Sequence, residues 1–153
     1  MKKSLLIALA LLIGCSAFAQ DYKQSIGLHI GGSVTANYKT FMSRANALDI
    51  EAGFQFTGGN GIFASAAYEW HWDLNVGVDG LTVFAGPGAT ASLTFAEGGN
   101  SSIGVGVFAI GGIEYTFPSW PIVVSLDYKP TLYLVPNVAG GWSNGGLSIR
   151  YIF

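Results

Sequence analysis

Apolar and polar residues alternate one for one along most of this chain. Successive side chains of a β-strand point to opposite faces, so such alternation predicts strands. Residues 121–134 place Ile122, Val124, Leu126, Tyr128, Pro130, Leu132 and Leu134 on one face. Val123, Ser125, Asp127, Lys129, Thr131 and Tyr133 fall on the other. In 103–117 an apolar face from Ile103 to Phe117 opposes Gly104, Gly106, Phe108, Ile110, Gly112, Glu114 and Thr116. In 47–56 Leu48, Ile50, Ala52, Phe54 and Phe56 oppose Asp49, Glu51, Gly53 and Gln55. In 62–72 Ile62, Ala64, Ala66, Tyr68, Trp70 and Trp72 oppose Ser65, Glu69 and His71. Residues 147–153 set Leu147, Ile149, Tyr151 and Phe153 against Ser148 and Arg150. Residues 81–95 and 25–31 alternate likewise, the latter with His29 on the polar face. Residues 33–42 are the least regular, with Ala36 and Tyr38 outward and Lys39 inward. That makes eight predicted strands.

Turns are predicted at 43–46 and 118–121, with looser connections at 57–61, 73–80, 96–101 and 135–145. Leu74, Val76 and Val78 keep the phase of Trp72, so that strand has the pattern to run on to a tight Asp79-Gly80 turn.

The position of the charges separates two architectures. A soluble barrel is apolar inside and charged outside, whereas a membrane barrel is apolar outside and polar within. Here the apolar face carries no charge in any predicted strand, and every strand charge shares the second face with Gly, Ser and Thr. Only 10% of the residues are charged, while 50% are hydrophobic and 14% aromatic. A soluble domain commonly carries about 25% charged residues. The aromatics gather near strand ends, as girdles do in membrane barrels. The fold class expected is all-β, an eight-stranded antiparallel up-and-down transmembrane β-barrel. Inverted faces would instead give a soluble periplasmic barrel that binds an apolar ligand.

The first residues have the form of a secretory signal peptide. Lys2 and Lys3 precede an apolar run from Leu5 to Ile13, and Ala17-Phe18-Ala19 supplies a small-residue cleavage site. The run is too short to span a membrane as a helix. The domain organisation expected is a signal at 1–19 and a barrel at 20–153. Leu12-Ile13-Gly14-Cys15 also matches a lipoprotein lipidation sequence, and a diacylglycerol adduct on Cys15 in the mature protein would identify it as one. The formal net charge of −2 offers no basic footprint for nucleic acid. A single Cys excludes an intrachain disulfide or a Cys-rich zinc site.

The last residues, Gly146-Leu147-Ser148-Ile149-Arg150-Tyr151-Ile152-Phe153, resemble the C-terminal strand signal of bacterial outer-membrane proteins. Together with the leader, they make the chain similar to the small eight-stranded outer-membrane barrels of the OmpA-transmembrane-domain and OmpX class. Gly112-Ile113-Glu114-Tyr115-Thr116-Phe117-Pro118 and Ser125-Leu126-Asp127-Tyr128-Lys129-Pro130 also resemble small barrels of Bacteroidetes-type genomes. The resemblance implies outer-membrane location, secretory export, lipid as surroundings, and an assembly machinery that reads Tyr151 and Phe153. A monomer is expected.

Three groups of residues are candidates for function. The first is a luminal ion-pair network of Lys39, Asp49, Glu51, Glu69, Glu114, Asp127, Lys129 and Arg150, joined by His29 and His71. An eight-stranded interior is just wide enough for side chains to fill, and buried charges there must pair. The bland reading is structural, and the sharper one is a narrow gated ion path. Inward Phe63, Phe84, Phe108 and Ile110 would plug the bore further. The second group is the outer-loop set Asn137, Trp142, Ser143 and Asn144, since exposed loops on a rigid scaffold commonly carry recognition. The third is Gly141-Trp142-Ser143-Asn144, which departs from the H-x-S-N pattern of outer-membrane lipid A deacylases by having Gly141 in the histidine position. Without a base, Ser143 lacks what nucleophilic catalysis requires. Gly86-Pro87-Gly88-Ala89-Thr90-Ala91 matches a dinucleotide fingerprint, but strand alternation, not a helix, follows it. No cofactor, metal site or catalytic residue is implied. The expected function is that of a non-enzymatic envelope protein, structural or surface-interacting, with a lipid-modifying enzyme and a narrow channel as alternatives.

Overall fold

The computed structural model describes residues 22–56, 60–96 and 98–153. The predicted signal segment, its cleavage site and Cys15 lie outside the described residues. Ten strand segments occur in chain order: β1 (Gln24–Gly31), β2 (Ser33–Phe41), β3 (Asn46–Gln55), β4 (Gly61–Asp73), β5 (Leu81–Phe95), β6 (Ser101–Thr116), β7 (Ile122–Tyr128), β8 (Thr131–Val135), β9 (Ala139–Gly141) and β10 (Gly145–Ile152). No helix occurs among the described residues.

These segments form eight staves. β7 and β8 are one stave interrupted at Lys129 and Pro130. Proline has no N–H to give to a ladder, and β6 pairs with β7 below the break and with β8 above it. β9 and β10 are likewise one stave interrupted at residues 142–144, with β9 pairing β8 and β10 pairing β7. The break is stitched from both sides. The Lys129 N–H donates to the Asn144 carbonyl at 2.7 Å, and Asn144 Nδ2 donates to Thr131 Oγ1 at 3.1 Å. Neighbouring staves are antiparallel throughout. The β1–β10 and β5–β6 ladders close the sheet into a barrel.

Local chemistry sets the connections. Ser43 Oγ accepts the N–H groups of Ala45 and Asn46 at 3.4 and 3.2 Å, which tightens the β2–β3 hairpin. Between β1 and β2 a single residue, Gly32, suffices. The 74–80 connection corrects one expectation. β4 ends at Asp73 and does not continue to the Asp79-Gly80 turn. One further rung forms, Leu74 N–H to Leu81 carbonyl at 3.0 Å, and then the Val76 N–H turns back to the Leu74 carbonyl at 2.8 Å. Val76 and Val78 are exposed, so the alternating pattern has no sheet partner there. Gly80 has φ +86°, a left-handed conformation open to glycine, and it returns the chain to β5.

The two faces separate as alternation predicts. Ile26, Leu28, Ile30, Ile50, Phe54, Ile103, Ile113, Leu126, Leu147 and Ile149 all stand exposed on the outer wall. Among the described residues, every buried ionisable side chain points inward, and buried apolar side chains gather in one cluster of Ala67, Phe84, Phe108 and Ile110. The barrel is therefore built inside out relative to a soluble domain. Its interior is polar and its surface is hydrocarbon.

Candidate functional site

The lumen holds two charged clusters joined by one amide. The lower cluster lies toward the end of the barrel that carries the termini. Lys39 of β2 is fully buried. Its Nζ lies 2.7 Å from Glu69 of β4, 3.1 Å from Glu114 of β6 and 3.6 Å from Asp49 of β3. It also sits 4.5 Å from the centroid of the Phe84 ring, in cation–π range. Arg150 of β10 donates to Glu114, to Ser125 Oγ at 2.9 Å and to Asn37 Oδ1 at 3.0 Å. Tyr22, just before β1, donates its hydroxyl to Glu114 Oε1 at 2.8 Å. Glu114 thus receives three donors from three directions. His71 stacks on Phe84, with ring centroids 5.2 Å apart, and its Nε2 lies 2.9 Å from Glu69.

The upper cluster lies toward the opposite end. Lys129 Nζ donates to Glu51 Oε1 at 2.6 Å. His29 lies between two carboxylates. Its Nδ1 is 3.5 Å from Glu51 and its Nε2 is 3.5 Å from Asp127. Asn37 links the clusters, since its Nδ2 donates both to Asp49 below and to Glu51 above, the latter at 3.3 Å.

The luminal candidates read from the sequence, Lys39, Asp49, Glu51, Glu69, Glu114, Asp127, Lys129 and Arg150, are thus buried within one connected interior. Sequence reasoning missed Asn37 and Tyr22. Asn37 shares the face of Lys39 two residues on, so the parity of the weakest strand carried the signal. Tyr22 has the parity of the outward residues Ile26 and Leu28, and alternation alone places it outside. It turns inward because it precedes the ladder and its hydroxyl finds Glu114.

Above the upper cluster is a cavity of about 80 Å³, lined by His29, Glu51, Phe63, Ser65, Phe108 and Lys129 among others. Phe84, Phe108 and Ile110 are buried within the bore, while Phe63 lines the cavity. Among the described residues no three His, Cys, Asp or Glu side chains converge as metal ligands.

The loop candidates separate into two kinds. Asn144 is committed to the stitch between β8 and β10. The Trp142 carbonyl accepts the Tyr128 hydroxyl at 2.6 Å, but its indole is 69% exposed. Asn137 and Ser143 are exposed. Ser143 therefore lies on the surface while His29 and His71 are enclosed in the lumen. Gly86–Ala91 is part of the β5 wall. Tyr151 and Phe153 stand exposed on the outside of the final stave.

No protein-family model matches the chain, and no curated protein matches it in sequence. Two solved structures are similar. The N-terminal β-barrel domain of Pseudomonas aeruginosa OprF is 14% identical with a TM-score of 0.55, the match covering 85% of this chain and 95% of that one. The Yersinia pestis outer membrane protein Ail, solved in a phospholipid bilayer nanodisc, is 14% identical with a TM-score of 0.49. That match covers 87% of this chain and 100% of Ail. The OprF likeness shows the fold, an eight-stranded antiparallel β-barrel.

Proposed function

We propose that this protein is a non-enzymatic integral barrel of a bacterial outer membrane, exported by the general secretory pathway. It would be a monomer with a side-chain-filled lumen and a structural or surface-interaction role through its outer loops. One observation carries this reading: no stave has a charged side chain on its outer wall, while Lys39, Glu69, Glu114 and Arg150 are each at most 2% exposed inside. A basic residue facing hydrocarbon at mid-depth costs about 2–4 kcal/mol, so lipid as the surrounding medium accounts for the outer face. Water does not, because a continuous apolar wall of this extent associates in water.

Both termini of the described barrel then lie on the periplasmic side, and Gly32 and the connection at 136–144 lie outside. Exposed Trp142 and Val138 are the side chains best placed to touch a partner or the lipid headgroups. The β10 end, with Tyr151 and Phe153, is the part an assembly machinery would read.

The test is fractionation followed by gel electrophoresis with and without boiling. The expected result is recovery in the outer-membrane fraction and a mobility shift on heating, because a closed barrel resists detergent until boiled. Recovery as a soluble periplasmic protein without a shift would refute the reading.

A further inference from the structure

The outer wall is not apolar to the same height all round. β1 has 8 residues, and its outward side chains Ile26, Leu28 and Ile30 end at the Gly32 turn. At about 3.3 Å per residue and a tilt near 45°, β1 rises about 19 Å. That is short of the apolar band of about 25 Å that membrane barrels carry. Register gives the matching level on the far side. From Ile30 the ladders lead through Leu147 and Leu126 to Ile113 of β6. The other way round they lead through Val34, Phe54, Ile62 and Leu93 to Ile103. The two arrivals lie ten residues apart on β6, an offset that eight tilted staves share. Three of the eight steps separate Ile30 from Ile113, which puts the level of Ile30 near Ala109. Val107, Val105 and Ile103 stand outward above Ala109, all exposed. Ile103 is about 14 Å higher than Ala109 at the same rise and tilt. On β6 the apolar wall thus continues well past the level at which it ends on β1.

Above Gly32 the wall has a gap. Among the described residues β9 pairs with β8 alone, and no strand continues β1 or β2 upward to meet it. The border of the gap is polar. Ser33, Gln55 and Asn144 stand round it, and with Gly32 and Gly145 they also line the cavity above Glu51 and Lys129. Lipid-exposed irregular backbone does not occur within the hydrocarbon of a membrane. A bilayer of uniform thickness would press hydrocarbon against this turn and this polar mouth. Deforming a bilayer by a few ångströms is a modest cost, and stripping polar groups of water in hydrocarbon is a larger one. We propose that the bilayer is drawn down against the β1–β2 hairpin, so that lipid head groups rest at Gly32 and at the mouth of the cavity, while hydrocarbon keeps its ordinary depth along β5 and β6. The partner of this flank is the polar layer of the membrane itself. A second copy of the chain is a poorer occupant, because the polar border of the gap offers it no apolar seat. The proposal rests on the membrane reading and goes beyond it, since it gives the surrounding bilayer one thin side.

The experiment places a nitroxide label at Ile30→Cys or at Ala109→Cys in the full chain carrying Cys15→Ser. The protein is refolded into dioleoylphosphatidylcholine vesicles and recovered by flotation. Collision with a water-soluble nickel chelate, divided by collision with oxygen, which concentrates in hydrocarbon, reads the depth of each label. The expected ratio is at least threefold higher at Ile30 than at Ala109. The contrast should narrow in dilauroylphosphatidylcholine vesicles, whose thinner hydrocarbon is nearer the height of β1. If Ile30→Cys does not refold, its ladder partner Val34 takes the label. Equal ratios in floated protein would overturn the proposal and leave the membrane reading standing. So would an Ile30 label shielded from both reagents, the mark of a protein seated on the flank. Rigid tilting of the whole barrel would also overturn it, seen as a Tyr151→Cys label, at the lower end beside β1, that reads hydrocarbon instead of interface. A chain that fails to float, with both labels open to nickel, would overturn the membrane reading itself and the proposal with it.

Discussion

At the scale of single residues, Glu114 is the keystone of the lower cluster. It accepts from Tyr22, Lys39 and Arg150, which come from the segment just before β1, from β2 and from β10. Their sequence separations are 92, 75 and 36 residues, so one carboxylate fixes the relative position of distant staves. Removing one partner of a buried ion pair typically costs about 3–5 kcal/mol, because the remaining charge is stranded. Glu114→Gln is expected to destabilise the refolded barrel by about that amount in urea unfolding followed by tryptophan fluorescence. The double variant Glu114→Gln/Arg150→Met should lose less than the sum of its single changes, since neighbouring groups in one network do not act additively. Additive losses would mean the two side chains do not sense each other.

At the scale of elements, the staves were legible because each charge fell on one side of a two-residue period. Asp49 and Glu51 set the phase of β3, Glu69 and His71 that of β4, Asp127 and Lys129 that of β7. Pro130 did not disturb the phase, so the β7–β8 interruption read as one unbroken strand. β9 was not legible at all. Ala-Gly-Gly has no alternation to detect, and it is a strand only because β8 offers it a ladder. The same limit applies to the cavity, since it depends on which staves meet and alternation does not encode that. The closing seam between β1 and β10 has its own requirement. Gly27 pairs with Arg150, and a Cβ there would collide with the Ile149 carbonyl and the Arg150 backbone. Gly27→Val is expected to abolish the compact unheated gel band, while Ile26→Val, on the outer wall one residue away, should preserve it. A compact band in Gly27→Val would show that the seam tolerates a side chain at that point.

At the scale of the whole molecule, the bore is closed by its own side chains. Lys39, Glu69, His71, Glu114 and Arg150 fill the lower half, with Phe84 beside them and Phe108 and Ile110 above. Eight staves enclose little more space than that. Purified protein is expected to give no steady large conductance in a planar bilayer, and a sustained open pore would contradict the filled lumen.

The barrel is also unequal in height. β1 has 8 residues and β6 has 16. Register connects Thr116 at the lower end of β6 through Val123 and Arg150 to Gly27 near the start of β1, so the surplus rises at the opposite end. With a rise of about 3.3 Å per residue and a tilt near 45°, the tall flank exceeds the short one by on the order of 15 Å. In a bilayer the protein would stand as a parapet along β5 and β6 and drop to a sill at Gly32. If the barrel sits in the membrane as proposed, with this end outward, anything moving along that surface would meet a barrier from one side and an open doorstep from the other, which would make encounter with it a matter of direction.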